Sequence, residues 1–473
     1  METSTRRSRS VAPAAVSTWK VMGGLTALAL ITRLVLLAHK SFWLDEAASY
    51  FITRLDPAAF RHALWSRELN MAFYYVLLRG WMLLGASDWL LRLPSALAAT
   101  ATIPVVYALG NRLFSRRVGL WSALLLTLSA SHIAYAQEAR GYALAILWVA
   151  LSSLFFVRAL PFAPRTLDRR SSPWNWVAYV LFSVAAVYTH FFAVLVIVAQ
   201  WVCLLAWPRE EWPWRRLACS ALALAAALLP AVWFVLHNTT DQLAWVPKLN
   251  FTTVFKTSVL LAGNSVAVPA YVFLWWKSVR TMRARQTPFI RAWPVVFVSV
   301  WLWLPFALVF LASLQRPILF PRFLLISLPA AVLLAAAGLE KLRPERQQVA
   351  VFVLVVLSMG GMIYYYARNQ EDWRGATAYV LQHGQPGDAV FVGPNYGYLG
   401  YEYYQRLYPA SSVVLHRPDD LNGTAHFPRI WLLLYGKKTE PDSTLLLSRI
   451  ERDNQLVSTQ QFSHIDAYLY VPK

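Results

Sequence analysis

The sequence predicts an all-α polytopic membrane domain followed by a small α/β domain. Of the 473 residues, 58% are hydrophobic and 15% are aromatic, a composition that excludes an ordinary soluble protein of this length. Apolar runs close to the ~20 residues that a helix needs to cross a bilayer recur along most of the chain. After residue 366 the chain becomes polar and its apolar runs become short. We therefore predict two domains, residues 1–366 and residues 367–473.

Eleven apolar runs make up the predicted membrane domain. They lie near 20–39, 89–111, 117–136, 142–160, 174–189, 191–207, 217–236, 257–276, 293–313, 322–340 and 349–366. A further apolar segment, 71–86, has only 16 residues and carries Arg79 at its middle, where a charge would be costly in a bilayer. We predict that it is interfacial or re-entrant, so that the loop 40–88 holds two surface helices, near 45–54 and 71–84.

The distribution of basic residues predicts the orientation of the spans. Every predicted inner loop carries at least three Lys or Arg residues, and the outer loops after the first carry at most two each. Basic residues collect in cytoplasmic loops, so the net charge of +20 indicates a lipid bilayer as the partner and not nucleic acid. The basic stretch Arg6-Arg7-Ser8-Arg9 is then a retained cytoplasmic N-terminus, and eleven spans leave the C-terminal domain outside.

Short alternating patterns predict the C-terminal α/β domain. The sequence Gly384-Gln385-Pro386-Gly387-Asp388 is typical of a helix-to-strand turn. We predict helices near 372–383, 396–407 and 441–452, and strands near 388–393, 429–435, 456–462 and 466–471.

Two adjacent carboxylates, Asp45 and Glu46, follow directly on the first span. They are flanked by Trp43 and Tyr50, aromatic residues of the kind that favour a membrane interface. The structural interpretation is an acidic pair in the first turn of an interfacial helix, where negative charge complements the helix dipole. The rest of the chain favours a functional role.

Three further polar stretches fall on the same predicted outer face. They are residues 129–142, 188–192 and 315–323. Ionisable residues at membrane depth are expensive, and they are functional candidates for that reason. The candidates in these stretches are Tyr135, Gln137, Glu138, Arg140, Tyr142, His190, Arg316 and Arg322.

An ordered set of motifs in residues 20–340 carries a resemblance to a known family. The motifs are Trp43-Leu44-Asp45-Glu46, Tyr74-Tyr75, Arg92-Leu93-Pro94-Ser95-Ala96, Tyr135-Ala136-Gln137-Glu138-Ala139-Arg140-Gly141-Tyr142, Tyr188-Thr189-His190 and Arg322-Phe323-Leu324-Leu325. As a set they resemble bacterial family 39-like membrane glycosyltransferases of the GT-C superfamily, which are related to protein O-mannosyltransferases and to the lipid A aminoarabinose transferase. The opening of the tail, Asp372-Trp373-Arg374, also resembles these proteins. One departure is Asn70-Met71-Ala72-Phe73, where the family usually has a His-Pro-Pro-like step.

The resemblance implies a GT-C fold and a glycosyltransferase of the bacterial inner membrane. Such an enzyme moves a sugar from a polyprenyl-phosphate donor to an envelope acceptor, which is a lipid, a glycan or a protein, with inversion on the extracytoplasmic face. The transfer needs a base that takes the proton of the acceptor hydroxyl, and cationic donors that stabilise the leaving phosphate. We assign the base to Asp45, and we expect Glu46 to orient the acceptor or a neighbouring basic group.

The remaining candidates are assigned to substrate binding. Arg140 and Arg322, with Arg316 behind them, are predicted to contact the phosphate. The other predicted substrate-binding residues are Tyr74, Tyr75, Tyr135, Gln137, Glu138, Tyr142 and His190. Structural alternatives remain open: Arg140 would pair with Glu138 or reach the interface, and His190 would pack or cap a helix end.

Two other arginines are predicted to have structural roles. Arg92, at the start of a span, is interpreted as an interface anchor. Arg33, deep in the first span, is expected to face the helix bundle, since exposure to lipid would be costly.

No metal site is predicted from the residues themselves. The two cysteines, Cys203 and Cys219, lie in or beside apolar runs, which predicts neither a disulfide nor a thiolate metal site. A divalent metal ion stays open as a cofactor, because some GT-C members use one.

Two other classes of function compete with the enzyme. A transporter or flippase for lipid-linked glycan would favour repeated halves and helices broken at mid-membrane, and the sequence has neither pattern. It would be favoured if Asp45→Asn blocked lipid translocation and no sugar transfer was found. A catalytically silent envelope scaffold would be favoured if the domain 367–473 alone reproduced the biological effect.

Overall fold

A computed structural model describes residues 17–161, 172–237, 243, 245–283, 289–409, 411–417, 420, 427–436 and 441–473. Most of these residues are helical. The helices are α1 (Thr18–Leu34), α2 (Leu44–Arg54), α3 (Pro57–Ala63), α4 (Ala72–Trp81), α5 (Asp88–Leu113), α6 (Arg116–Thr127), α7 (Ala130–Ala136), α8 (Tyr142–Ala159), α9 (Pro173–Thr189), α10 (Val194–Val202), α11 (Trp214–His237), α12 (Phe251–Ala262), α13 (Val268–Arg283), α14 (Phe289–Ser313), α15 (Leu328–Leu339), α16 (Pro344–Ala367), α17 (Trp373–His383), α18 (Tyr398–Gln405) and α19 (Pro441–Asp453).

The predicted membrane spans coincide with helices, but two of them, 117–136 and 257–276, are each divided between two helices. Among the described residues, six helices are long and apolar enough to cross a membrane, and the pair α6 and α7, bent by 59°, makes a seventh. The six are α5, α8, α11, α14, the segment Pro321–Leu339 and α16. The other predicted spans fall on shorter helices, so a multi-span helical bundle is confirmed and the count of eleven stays a prediction.

The predicted span 257–276 is wrong as a single helix, because the chain breaks between α12 and α13. Gly263 has a left-handed backbone with φ +88°, a conformation that favours glycine. The Asn264 side chain then accepts a hydrogen bond from the Ala267 amide at 2.9 Å and donates one to the Leu357 carbonyl in α16 at 2.9 Å. These bonds satisfy the backbone at the break and attach it to a neighbouring helix.

The bundle is centred on α15, in which every residue is buried. A short 3-10 segment, Pro321–Ser327, leads into it. On one side α15 packs so closely on α13 that a Cβ at Gly338 would collide with the Leu274 carbonyl oxygen. This close approach explains the glycine within an otherwise apolar helix.

The loop between α1 and α5 folds into the two predicted helices and a third that was not predicted. α2 and α4 lie where the sequence indicated, and 3-10 turns, Leu69–Met71 and Met82–Leu84, flank α4. The additional helix α3 begins after Asp56, whose carboxylate accepts hydrogen bonds from the amides of Ala58 and Ala59. This arrangement is a regular N-cap.

The C-terminal region contains a five-stranded mixed sheet with the order β2-β1-β3-β5-β4. β1 pairs in parallel with β2 and β3, while β5 is antiparallel to both β3 and β4. The strands are β1 (Ala389–Gly393), β2 (Val414–Leu415), β3 (Ile430–Tyr435), β4 (Asn454–Phe462) and β5 (Ile465–Pro472). All predicted helices and strands of this region are confirmed, and only the two-residue β2 was not predicted.

One carboxylate fastens the C-terminal region to the helical bundle. Asp88, in the first turn of α5, accepts hydrogen bonds from Arg374 at 2.6 Å, Tyr403 at 2.8 Å and Tyr404 at 2.9 Å. The Tyr404 hydroxyl in turn accepts a bond from the Phe42 amide at 2.7 Å. The sheet region is thereby held beside the start of α2, which carries Asp45 and Glu46.

Candidate active site

Helix α2 presents Asp45 and Glu46 to two different environments. Glu46 is the third residue of the helix, and its carboxylate accepts a hydrogen bond from the Trp43 amide at 3.4 Å. Neighbouring residues of a helix point about 100° apart. The Asp45 side chain is accordingly 31% exposed while that of Glu46 is fully buried.

The Asp45 carboxylate lies between two guanidinium groups. Its Oδ2 is 3.2 Å from Arg322 Nη1 and 3.8 Å from Arg140 Nη2. Arg140 also donates to the backbone carbonyl of Asp45 at 3.3 Å, to Ser49 Oγ at 3.3 Å and to the Tyr75 hydroxyl at 3.2 Å. The predicted alternative of an Arg140–Glu138 pair is therefore wrong, since Arg140 pairs with Asp45.

Aromatic rings surround the guanidinium of Arg322. Its central carbon is 5.0 Å from the ring centroids of Trp245 and Phe320, 5.1 Å from that of Trp43 and 5.8 Å from that of Tyr142. Rings at these distances attract a cation. They also leave it poorly hydrated, so its charge acts strongly on any anion that approaches.

Glu46 forms a buried bidentate pair with Arg92. Arg92 Nε and Nη2 donate to the two carboxylate oxygens at 2.7 and 2.6 Å, and the Ala139 amide donates to Oε1 at 2.7 Å. Both oxygens are thus occupied, an arrangement that favours the alternative in which Glu46 orients a neighbouring basic group. Arg92 is 1% exposed, so its interpretation as an interface anchor is wrong.

The Glu46–Arg92 pair also organises the corner between α7 and α8. Arg92 donates to the carbonyls of Leu37 and Lys40, which lie in the turn between α1 and α2. The Ala139 amide, which reaches Glu46, lies directly before Arg140. The buried pair therefore connects the entrance of α2 with the corner that delivers Arg140 to Asp45.

Gln137 links helices and does not reach the site. Its amide nitrogen donates to the carbonyls of Arg33 at 3.0 Å and Val35 at 2.7 Å, and its oxygen accepts from the Tyr365 hydroxyl at 3.0 Å. The substrate-binding role of Gln137 stays a prediction; in this structure its amide joins α1, α7 and α16. Arg33 itself is fully buried and contacts His132 Nδ1 at 2.8 Å, as expected for a residue that faces the bundle.

Glu138 lies in the corner after α7, and the pKa of its carboxyl group is raised. Burial, together with the negative charges of Glu46 and Asp45, raises the pKa of its carboxyl to about 8. Its Oε2 is inaccessible to solvent and accepts no hydrogen bond from the residues that the structure describes. Glu138 is therefore a protonated carboxyl at neutral pH, close to the charges around Asp45.

Tyr135, Tyr142 and His190 form an aromatic wall beside these charges. Tyr142 packs edge-on against Tyr135 with centroids 5.2 Å apart, and its ring is 5.5 Å from that of His190. Burial, followed by the charges of Arg140 and Arg322, lowers the pKa of His190 to about 3. His190 is consequently a neutral imidazole, placed both in the wall and at the end of α9.

The paired tyrosines of α4 have unequal positions. Tyr75 bridges the site to an additional carboxylate, since its hydroxyl donates to Glu68 at 3.2 Å and accepts from Arg140. Tyr74 is fully buried against Tyr75 and lies within the packed core. Only Tyr75 contacts the charged cluster directly.

The phosphate-binding role predicted for Arg316 is not supported. Arg316 is exposed at the end of α14 and makes no ion pair among the described residues. Arg322, six positions later, enters the site instead because it lies in the 3-10 segment that leads into the buried α15.

Sequence reasoning did not identify four residues of the cluster. Trp43 was noted only as an interface residue, although it contacts Arg322. Ser49, one helical turn after Asp45, was detectable from the period of α2. Glu68 and Trp245 carried no local signal, because their contacts with Tyr75 and Arg322 are long-range.

The described residues do not gather as metal ligands. No group of three or more His, Cys, Asp or Glu side chains is assembled in this part of the chain. Glu46 is occupied by Arg92, and two guanidinium groups flank the Asp45 carboxylate, where they would repel a cation. These side chains therefore do not fit a divalent ion.

Comparisons with known proteins show what the chain resembles in sequence and in fold. Residues 71–237 match the sequence model of the dolichyl-phosphate-mannose-protein mannosyltransferase family. A comparison with curated proteins finds no match.

Solved structures share the fold over nearly the whole chain. ArnT from Cupriavidus metallidurans in the apo state superposes with a TM-score of 0.63 at 16% identity, covering 96% of this chain and 97% of that one. The same protein bound to undecaprenyl phosphate superposes with a TM-score of 0.63 at 15% identity, covering 96% and 98%. The archaeal oligosaccharyltransferase AglB from Archaeoglobus fulgidus, in complex with an inhibitory peptide and a dolichol-phosphate, gives 0.56 at 10% identity, covering 95% and 74%.

These matches confirm the resemblance that the motifs indicated. The chain shares its fold with ArnT and with the archaeal oligosaccharyltransferase over most of its length. At these identities the structural likeness establishes the fold alone.

Proposed function

We propose that the protein is an integral-membrane inverting glycosyltransferase that uses a polyprenyl-phosphate-linked sugar. The observation that carries the proposal is the partly exposed Asp45 carboxylate between the guanidinium groups of Arg140 and Arg322. A base beside two cations is what a sugar transfer with a phosphate leaving group requires. The shared fold with an enzyme seen bound to undecaprenyl phosphate supports the choice of donor.

Asp45 acts as the general base. Its carboxylate takes the proton of the acceptor hydroxyl as the acceptor oxygen forms a bond to the anomeric carbon and the bond to the phosphate oxygen breaks. One displacement inverts that carbon. General base catalysis typically contributes 10²–10⁴-fold in rate.

Arg140 and Arg322 hold the leaving phosphate, whose negative charge grows as the bond breaks. Charge-assisted hydrogen bonds to a phosphate are among the strong ones, especially where water is excluded. The aromatic rings around Arg322 provide such an environment. When the donor binds, its phosphate competes with Asp45 for Arg322, which frees the carboxylate to act as a base.

The wider setting follows from the basic loops and the bundle. We place the site on the extracytoplasmic face of a bacterial inner membrane, with eleven spans in residues 1–366 and a separate domain in residues 367–473. The acceptor is an envelope lipid, glycan or protein. The domain 367–473, docked through Asp88, borders the mouth of the site and recognises the acceptor or covers the mouth.

The test is transfer of labelled sugar from a polyprenyl-phosphate donor, measured in membranes that contain the Asp45→Asn variant. We expect a loss of 10²–10⁴-fold with unchanged expression and unfolding. The matched control is Asp442→Asn, the same change in the first turn of α19, which should keep full activity. Full transfer by Asp45→Asn would overturn the assignment of the base.

The same assay decides between the enzyme and a transporter. The proposal expects a new glycosylated product, whose mass identifies the sugar and the acceptor. If the wild-type protein moves lipid-linked sugar between vesicle leaflets and never forms a product, the glycosyltransferase proposal fails.

A further inference from the structure

Two apolar grooves lie on the bundle surface, away from the Asp45 site. The α9–α11 groove has a volume of about 390 Å³ and is lined by Trp176, Val180 and Leu181 of α9, and by Arg215 and Arg216 of α11, among others. Apart from the two arginines, its lining is almost entirely apolar. Both arginines lie in the first turn of α11, which begins at Trp214.

The α13–α16 groove repeats this arrangement. Its volume is about 470 Å³, and Phe273 and Val353 are among its apolar lining residues. Lys277 and Arg346 supply two positive charges at its end, together with the negative charge of Glu345. The net charge of the rim is therefore +1, against +2 for the α9–α11 groove.

Both grooves open at the end of the bundle opposite the Asp45 site. α9 begins at Pro173 and ends at Thr189, and His190, which follows it, belongs to the site. The start of α9 therefore lies at the far end of the bundle. α16 likewise ends near Gln137 through Tyr365, which puts its start, with Arg346, at the far end as well. By the distribution of basic loops, this end faces the cytoplasm.

The length of the α9–α11 groove matches part of a lipid chain. In α11 the groove extends from Arg215 to Ala223, nine residues whose eight helical steps span about 12 Å. The basic residues lie at the level where the helix begins, and the apolar lining extends from there into the bundle. A ligand with an anionic head and an apolar tail fits this order of groups.

We propose that the two grooves are binding sites for anionic phospholipids of the leaflet that faces the basic loops. The headgroup phosphate contacts the arginine or lysine pair, and one acyl chain lies along the apolar lining. Basic pockets between membrane helices are known to hold anionic lipid headgroups. The single net charge of the α13–α16 groove makes it the weaker site of the two.

The probe is phosphatidylglycerol, added to the purified full-length protein in detergent and counted by native mass spectrometry against phosphatidylcholine. Each basic residue near an anionic lipid contributes about fivefold in affinity. The double variant Arg215→Gln/Arg216→Gln should therefore lower the preference for phosphatidylglycerol by about 25-fold at one site. Lys277→Gln/Arg346→Gln should remove the second, weaker lipid.

Two further variants distinguish a groove from general surface charge. Arg116→Gln/Arg117→Gln removes two exposed arginines at the start of α6 that line neither groove, and it should keep both lipids. Ala223→Trp obstructs the chain path of the α9–α11 groove while leaving its charges, and it should lose one lipid. Unchanged binding in both groove double variants, an equal loss in the control, or full binding by Ala223→Trp would each overturn the proposal.

Discussion

The two sides of α2 show how adjacent carboxylates acquire different tasks. On one side, Glu46 is fully buried, and each of its oxygens has a short bond to Arg92 or to a backbone amide. On the other side, Asp45 is partly exposed, and its contacts with Arg322 and Arg140 are longer, at 3.2 and 3.8 Å. Glu46, whose oxygens are all hydrogen-bonded, has a structural role. Asp45, which has fewer and longer contacts, can exchange partners with a substrate.

The difference teaches that charge alone does not identify a catalytic group. A buried ion pair is costly to break, because the partner that remains keeps an uncompensated charge. The Asp45 carboxylate is partly exposed and makes longer contacts, so it can exchange partners at a smaller structural cost than Glu46.

Removal of the Glu46 charge should have the largest effect on stability. We expect Glu46→Gln to lower the free energy of unfolding by about 3–5 kcal/mol, because Arg92 stays buried without a counter-charge. Asp45→Asn should lower it by less, because the Asp45 carboxylate is partly exposed and its contacts with Arg322 and Arg140 are longer. Chemical unfolding in detergent measures both values, and equal losses would contradict the comparison. The double variant Glu46→Gln/Arg92→Met should recover part of the loss.

Removal of the Arg322 charge should affect transfer and not stability. A hydrogen bond to a charged group contributes about 1.5–3 kcal/mol, so Arg322→Gln should lower the rate of sugar transfer by roughly 10–150-fold. Arg316→Gln is the matched control, an exposed arginine in the same segment, and it should remain within about twofold of wild type. If the two variants lose activity equally, Arg322 has no special role in the site.

The protonation of Glu138 should make stability depend on pH. Its pKa is raised from 4.5 to about 8 in the folded state, so between these values the folded chain holds a proton that the unfolded chain has lost. The contribution of Glu138 to the unfolding free energy is therefore largest below pH 4.5 and falls as pH rises towards 8, by at most about 1.4 kcal/mol per pH unit.

Glu138→Gln should remove this dependence, since an amide does not titrate. The variant is expected to unfold at the same free energy at pH 5 and pH 8, apart from contributions of other groups. Glu210→Gln, an exposed glutamate in the turn Arg209–Glu211, should retain the wild-type pH profile. A wild-type profile in Glu138→Gln would show that another group titrates.

Most of the fold could be predicted from the sequence, because membrane helices carry long apolar runs and the C-terminal strands β1 and β3 are short apolar segments. The exceptions depend on single residues or on contacts that are distant in the chain. The break at Gly263 depends on one left-handed residue and on the Asn264 contact with Leu357, and α3 depends on a capping Asp56. β2 has only two residues and forms by pairing with β1.

The site was less predictable, because neighbouring polar residues of one segment point in different directions. Within 137–140, Gln137 turns into the helix bundle, Glu138 is buried as a protonated acid, and Arg140 reaches Asp45. Their order in the chain does not reveal which of them faces a substrate. The partner of Arg92 was also hidden, since 46 positions separate it from Glu46.

The sequence by itself determined that the protein is a mostly helical membrane protein with a smaller C-terminal α/β region. It also determined the positions of most helices and strands, and it contains the motifs that resemble the GT-C glycosyltransferases. These properties depend on hydrophobicity, periodicity and residue order, all of which are local. Only the tertiary structure decided that Asp45 meets Arg140 and Arg322, that Glu46 belongs to Arg92, and that Gln137 and Arg316 lie outside the cluster. The reason is physical: burial and pairing of charges depend on which helices pack together, and a single residue step, about 100° around a helix, separates a side chain in a site from one in the core.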